Sequence, residues 1–285
     1  METAQIEINK VLDYLKANYL SINEKKCEFI IVRPNTKKPL RKESLVLNNI
    51  EIEETDKMTF LGTIFDNKNN YKPQIQKVIS KMNTVVHSLI RAKYTLPYKS
   101  KLLIFNGLFK PITDYSCLVW LDKANKSERD TLIKLQKKAI RLVFQSRFNT
   151  HTNQLFQISK IIPFEYIYEK EAIIFCKKLQ NNELPEIFHD LLGHFTDNKR
   201  SGYKNTIKIP SKYKPGHVFY NIVKSWNDSH ESYRQTSKTK TTKSKIKTNI
   251  IESLKGKSCQ KRKCYMCSRD AHVDFWRYAG KNKKN

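Results

Sequence analysis

The sequence predicts an α+β, mostly α fold: a small antiparallel sheet with one helix, then a helical bundle and a basic, partly disordered C-terminal tail. Three observations carry this. Short β-type stretches rich in branched and aromatic residues are confined to the first 66 residues. From residue 72 onward apolar residues recur at the 3.6-residue period of helices. After residue 236 Lys alternates with Ser and Thr in TSKTKTTKSKIKTNI. Such a run has little apolar area to offset its chain entropy, so it reads as a disordered arm or a weak helix formed on contact.

In chain order, Ile6, Ile8, Val11, Leu12, Leu15 and Leu20 predict an amphipathic helix over 3–18, capped by Thr3. Cys27–Val32 reads as a strand ended by Arg33-Pro34-Asn35. Leu45–Leu47 and Ile50–Glu53 flank Asn48-Asn49, the signature of a hairpin with a tight turn. Met58–Phe65 reads as one further strand, ended by Asp66-Asn67. Residues 72–93 carry the stripe Ile75, Val78, Ile79, Met82, Val85, Val86, Leu89 and Ile90. Pro97 breaks it, and residues 99–120 form a second helix with Pro111 as kink or end. Ser127–Asp130 opens a third, with Leu132, Leu135, Ala139, Ile140 and Val143 inward and Lys134, Lys137, Lys138 and Arg141 outward. Residues 72–145 are thus expected as a three-helix unit on the small sheet, burying Leu61, Val78, Met82, Val86, Leu89, Leu103, Leu135 and Ile140. Shorter helices follow at 163–180 and 184–192, a polar loop at 195–214, and a helix over 215–228 with Phe219, Val223 and Trp226 inward. The regions are 1–66, 67–148, 149–230 and the basic tail 231–285.

Composition narrows the function classes. With 285 residues, about two domains are expected at roughly 150 residues each. Seven Gly and six Cys exclude collagen-like and disulfide-dense classes. No apolar run is long enough to span a membrane. The N-terminus lacks a cationic segment followed by an apolar one, so a secretory signal is not expected and an intracellular place, nucleus or cytoplasm, is. Lys and Arg number 54 against 27 acids, a net charge of +27. A compact chain this basic attracts polyanions: nucleic acid first, an anionic membrane surface second, with plain solvation as the bland alternative. Residues 236–285 hold 15 of these cations against Glu252, Asp270 and Asp274. No Gly-rich phosphate loop is present, and His87 and His217 have no nucleophile placed beside them, so a small-molecule substrate is not expected.

Four stretches form an ordered set: Asn18–Cys27 (N-x-L-x-I-N-x-x-K-C), Phe60–Asp66 (FLGTIFD), Leu135–Arg141 (LQKKAIR), and Thr152–Phe156 followed by Leu184-Pro185. Trp226-Asn227 comes after them. Order and spacing resemble the C-terminal part of non-LTR (LINE-type, jockey-like) retrotransposon reverse transcriptases, over nearly all of residues 3–255. The resemblance implies that residues 18–33 correspond to motif D at the palm edge, with Lys26 as its lysine. Residues 58–66 would be the primer-grip strand pair, with Phe60, Leu61 and Gly62, and residues 70–145 the thumb that holds a template–primer duplex. Lys77, Lys81, Lys134, Lys137, Lys138 and Arg141 are then the expected phosphate contacts.

The chain departs from that family at the chemistry. Polymerisation needs two divalent metals, normally Mg²⁺, clamped by paired carboxylates. The 11 aspartates here include no Asp-Asp pair, and only Asp13 precedes residue 18. The sole adjacent acidic pair, Glu53-Glu54, reads as a solvated strand edge. The expected function is therefore a truncated reverse-transcriptase remnant that binds RNA or DNA non-specifically and lacks catalysis alone. Two alternatives stay open: a small zinc-containing nucleic-acid-binding protein, and a mobile-element fragment without function. Cys259, Cys264, Cys267 and His272 have the residue types and close spacing of a zinc-knuckle-like site, with unliganded tail cysteines as the other reading. Cys27, Cys117 and Cys176 read as core.

Overall fold

The computed structural model describes residues 2–33, 42–196 and 205–254. The fold is α+β and mostly α, with three two-stranded antiparallel pairs as its only sheets among these residues. Contacts divide the chain into two units, Met1–Gln76 and Lys77–Asn285, and the expected divisions near 148 and 230 fall inside the second.

The first unit opens with helix α1 (Glu2–Ala17), so Thr3 lies within the helix rather than capping it. Of its expected apolar stripe only Leu12 is buried, while Ile6 and Val11 are exposed. Strands β1 (Ser44–Leu47) and β2 (Ile50–Glu53) pair in the register Leu45↔Ile52 and Leu47↔Ile50. Asn48 and Asn49 both take positive φ (44° and 65°), the geometry of a two-residue turn whose twist matches the strands. Met58–Phe65 is not one strand. It is a second hairpin, β3 (Lys57–Phe60) and β4 (Thr63–Asp66), turning at Leu61-Gly62 with φ of 46° and 82°. Glycine adopts that conformation freely, and the turn puts Leu61 at an exposed tip rather than in the core. Cys27–Val32 forms no strand either. Phe29 makes a lone parallel bridge to Glu54, its carbonyl accepting from the Thr55 N–H at 3.0 Å.

Asp66 then organises the approach to the next helix. Its carboxylate accepts the N–H groups of Lys68 (3.0 Å), Asn70 (3.2 Å) and Tyr71 (2.6 Å), donors that the turn leaves without backbone partners. Helix α2 (Lys72–Arg91) follows and runs into the second unit. Val78, Met82, Val86 and Leu89 are buried as expected. One carbonyl just beyond its end is satisfied by two side chains: Lys101 Nζ (3.1 Å) and Gln145 Nε2 (2.5 Å) both donate to the Lys93 carbonyl. Lys101 is fully buried, and burial followed by the Lys93 charge lowers its pKa.

Residues 99–120 do not form one helix. They make α3 (Tyr98–Ile104), a π turn at Phe105–Phe109, α4 (Lys110–Asp114) and α5 (Cys117–Trp120). Pro111 lacks an N–H and would crowd the carbonyl four residues back, and the widened turn lies where that strain falls. The chain breaks later, at Ser116, with φ 51°. Lys101, Phe105 and Phe109 set the inward phase, so Leu103, two positions off, faces solvent at 72% exposure, contrary to expectation. After α6 (Lys126–Val143) comes α7 (Thr152–Ser159), which the periodicity did not reveal.

Helix α8 (Ile167–Gln180) is buried almost all round and forms the axis of the second unit. Against it pack α5, α10 (Val218–Asn227) and α12 (Thr239–Ser253), with α9 (Ile187–Leu192) and α11 (Glu231–Arg234) between. The expected loop at 195–214 contains a short pair, β5 (Phe195–Thr196) and β6 (Thr206–Ile207). Trp226 and Asn227 hold it: the indole donates to the Asn205 carbonyl (2.8 Å), and the Asn227 amide bonds the Ile207 N–H (3.0 Å) and carbonyl (2.8 Å). Buried Arg234 donates to the carbonyls of Asn227 (2.8 Å) and Ser229 (2.7 Å) at the end of α10.

Candidate nucleic-acid interface

Helix α6 is built by its sequence at both levels. Asn125 caps it: its side chain accepts the Glu128 N–H and Glu128 returns a bond to the Asn125 N–H, both at 2.9 Å. Leu132, Leu135, Ala139, Ile140 and Val143 are buried as the stripe predicts. Gln136 is buried among them and ties down the next segment, donating to the Ile162 carbonyl (3.0 Å) and accepting the Phe164 N–H (2.7 Å).

The outward quartet on α6 splits in two. Lys134 and Lys138 are exposed, one turn apart on one face. Lys137 instead pairs with Glu165 at 3.0 Å. Arg141 is half-buried and donates from Nε to the Thr150 carbonyl at 2.9 Å, so its guanidinium helps hold the loop after the helix. On α2, Lys81 is exposed and Lys77 half-buried, again one turn apart. Lys26 is exposed at the end of a 3-10 turn, Glu24–Lys26. Phe60, Leu61 and Gly62 form the tip of the second hairpin, where Phe60 meets Phe65 edge-on at 6.5 Å. Cys259, Cys264, Cys267 and His272 lie outside the described residues.

Glu54 is not a solvated edge. It is 4% exposed and pairs with both terminal nitrogens of Arg33, one contact at 2.9 Å. Those hydrogen bonds hold its carboxyl below the usual carboxylate range, against the opposing effect of burial. Glu53 beside it is exposed. Burial pushes the Cys117 thiol up to about 12 and raises Cys176 as well, so neither supplies a thiolate nucleophile. His217 caps α10 by accepting the Phe219 N–H at 3.3 Å. Among the described residues no group of His, Cys, Asp or Glu converges as metal ligands do.

Of the two readings of the basic run after residue 236, residues 239–253 take the helical one. Residues 239–253 form helix α12, docked on α8 by Thr242 and Ile246, which are buried. Polar ties add to this: Thr239 donates to Glu183 (2.6 Å) and Asn249 to the Tyr233 hydroxyl (2.8 Å). The helix therefore presents Lys240, Lys243, Lys245 and Lys247 from a fixed frame, all four exposed, with Glu252 its one acid. The charge run was visible in the sequence; the docking depends on partners far away in the chain.

Comparison with protein-family models, with curated proteins and with solved structures returns no match in any of the three. Among the described residues no helix is long and apolar enough to cross a membrane.

Proposed function

We propose that this chain is a nucleic-acid-binding segment of the non-LTR reverse-transcriptase type, holding RNA or DNA by its phosphates and not polymerising by itself. The observation that carries the reading is α12: four exposed lysines and one acid on a helix anchored to α8, in a chain of net charge +27. Lysines on a fixed frame meet phosphates without reading bases. The exposed pair Lys134 and Lys138 on α6 adds a second cationic face. The chain runs through a helix, two hairpins and then helices, and the reading takes these as palm edge and thumb.

Fluorescence anisotropy with two duplexes of unrelated sequence tests it. Both should bind at low salt, with affinities far closer than the ~10³-fold gap that marks specific recognition. Absence of binding at about 50 mM salt would sink the reading. Because the sequence holds no Asp-Asp pair, no templated nucleotide incorporation is expected with Mg²⁺ or any other divalent metal.

A further inference from the structure

A cavity of about 230 Å³ opens where α4, the end of α7, α8 and α12 meet. Its lining includes Lys110, Lys160, Lys170, Lys243 and Lys247 against one carboxylate, Asp114. These lysines come from separate stretches of chain. Lys110 opens α4, Lys160 follows the last residue of α7, Lys170 lies on α8, and Lys243 and Lys247 stand one turn apart on α12. Solvation of a helix face does not require lysines from four separate stretches of chain to line one hollow.

The charges inside it are unevenly satisfied. Lys170 is 4% exposed and fixed, with Nζ 2.5 Å from Glu171 and 3.6 Å from Asp114. Asp114 also pairs with Lys110. Lys160, Lys243 and Lys247 have no acid within ion-pair distance among the described residues. Lys247 is an exposed residue, but its ammonium is partly shielded from water and is pushed below its ordinary pKa by that desolvation first and then by the charges of Lys160, Lys110 and Lys170. Phe105, Ile161, Ile162 and Ile167 supply apolar wall, which strengthens every charge interaction inside.

We propose that this lysine-ringed cavity is a pocket for a phosphate-ester or pyrophosphate group, distinct from the exposed face of α6 and sharing Lys243 and Lys247 with the cationic face of α12. Its volume lies below the ~300–1,000 Å³ of sites for drug-sized ligands, so it suits a small, highly charged group. Lys160, Lys243 and Lys247 donate to the phosphate oxygens as mobile point charges, and Lys170 with Asp114 forms a fixed floor. The anion offsets the repulsion of Lys247 by Lys160, Lys110 and Lys170.

Isothermal titration of the full chain with pyrophosphate tests the pocket, independently of the nucleic-acid reading. The wild type should bind one equivalent saturably. The double variant Lys160→Gln/Lys247→Gln should bind about tenfold more weakly or worse, the loss of charge-assisted hydrogen bonds. The double variant Lys134→Gln/Lys138→Gln, on the exposed face of α6, should bind like the wild type. All these lysines are exposed, and matching far-UV circular dichroism checks that the variants keep the fold. No saturable binding at millimolar pyrophosphate, or an equal loss in both doubles, overturns the pocket. A competing unphosphorylated oligonucleotide identifies the source. Displacement of pyrophosphate means that the pocket takes a backbone phosphodiester; co-binding means that it takes a free or terminal phosphate. Failure of the oligonucleotide to bind at all would remove the nucleic-acid reading and leave the pyrophosphate result standing.

Discussion

The two units hold themselves together by different means. Among the described residues, the first buries Leu12, Leu45, Leu47, Tyr71 and Ile75, and beside them Glu54, Asp66 and Gln74. Its ties are polar: Arg33 on Glu54, Asp66 on three backbone N–H groups, and Gln74 accepting the Ile64 N–H at 3.0 Å. The second unit buries Trp120, Trp226, Phe105, Phe109 and Phe156 completely or nearly so, around an α8 that meets protein on most sides. Apolar packing of that kind is indifferent to pH, and the charges buried with it (Lys101, Lys170, Lys177 and Arg234) are cations that acid does not discharge, whereas an ionised, buried carboxylate makes stability depend on acid. The difference also bears on function, because the unit with the larger core is the one that carries α12 and tolerates a dense array of lysines.

The largest effect that would sharpen this contrast belongs to the second unit. Trp226→Ala removes a fully buried indole and its bond to the Asn205 carbonyl, and should cost about 3–5 kcal/mol in urea unfolding. A loss under about 1 kcal/mol would mean that the core there repacks freely. Next comes acid. Glu54 is held below its usual 4.5, by the Arg33 hydrogen bonds first, so the folded first unit binds fewer protons than its unfolded chain. That stability is full above the usual value and is lost as pH falls through the lowered one. Hydrogen exchange on acidification should therefore expose amides of β1 and β2 before those of α8. Simultaneous loss would break the comparison. The smallest effect is local: Asn125→Ala removes the reciprocal cap of α6 and should cost about 1 kcal/mol without changing the slope of the urea transition.

Legibility in the sequence followed the range of the interactions. Helices α2 and α6 were readable because five or more apolar residues recur at one period and bury one face. The Asn48-Asn49 hairpin was readable because its turn is local chemistry. Leu61-Gly62 was misread as strand interior because a Gly flanked by branched residues fits either a strand or a turn until its partner is known. Leu103 was misplaced because the π turn and the break at Ser116 set helix phases that no single period describes. Helix α12 has two buried residues among its 15 and owes its order to docking on α8, about 70 residues earlier in the chain. For the site, residue types were legible and partners were not. Composition does not distinguish Lys134 and Lys138, which face solvent, from Lys137 and Arg141, which are engaged by Glu165 and Thr150. Nor does it show that Lys110, Lys160 and Lys170 meet the lysines of α12 at one cavity.

The salt dependence of duplex binding tests the central claim most directly. Log affinity against log salt is compared for the wild type and for Lys134→Ala/Lys138→Ala/Lys240→Ala/Lys245→Ala, four exposed cations outside the cavity. Each phosphate contact contributes a slope near −0.9 by releasing condensed counterion, so the variant's slope should be shallower by roughly 2–4, with equal loss on unrelated sequences. An unchanged slope and unchanged affinity would contradict the account and reduce the cations of α6 and α12 to solvation.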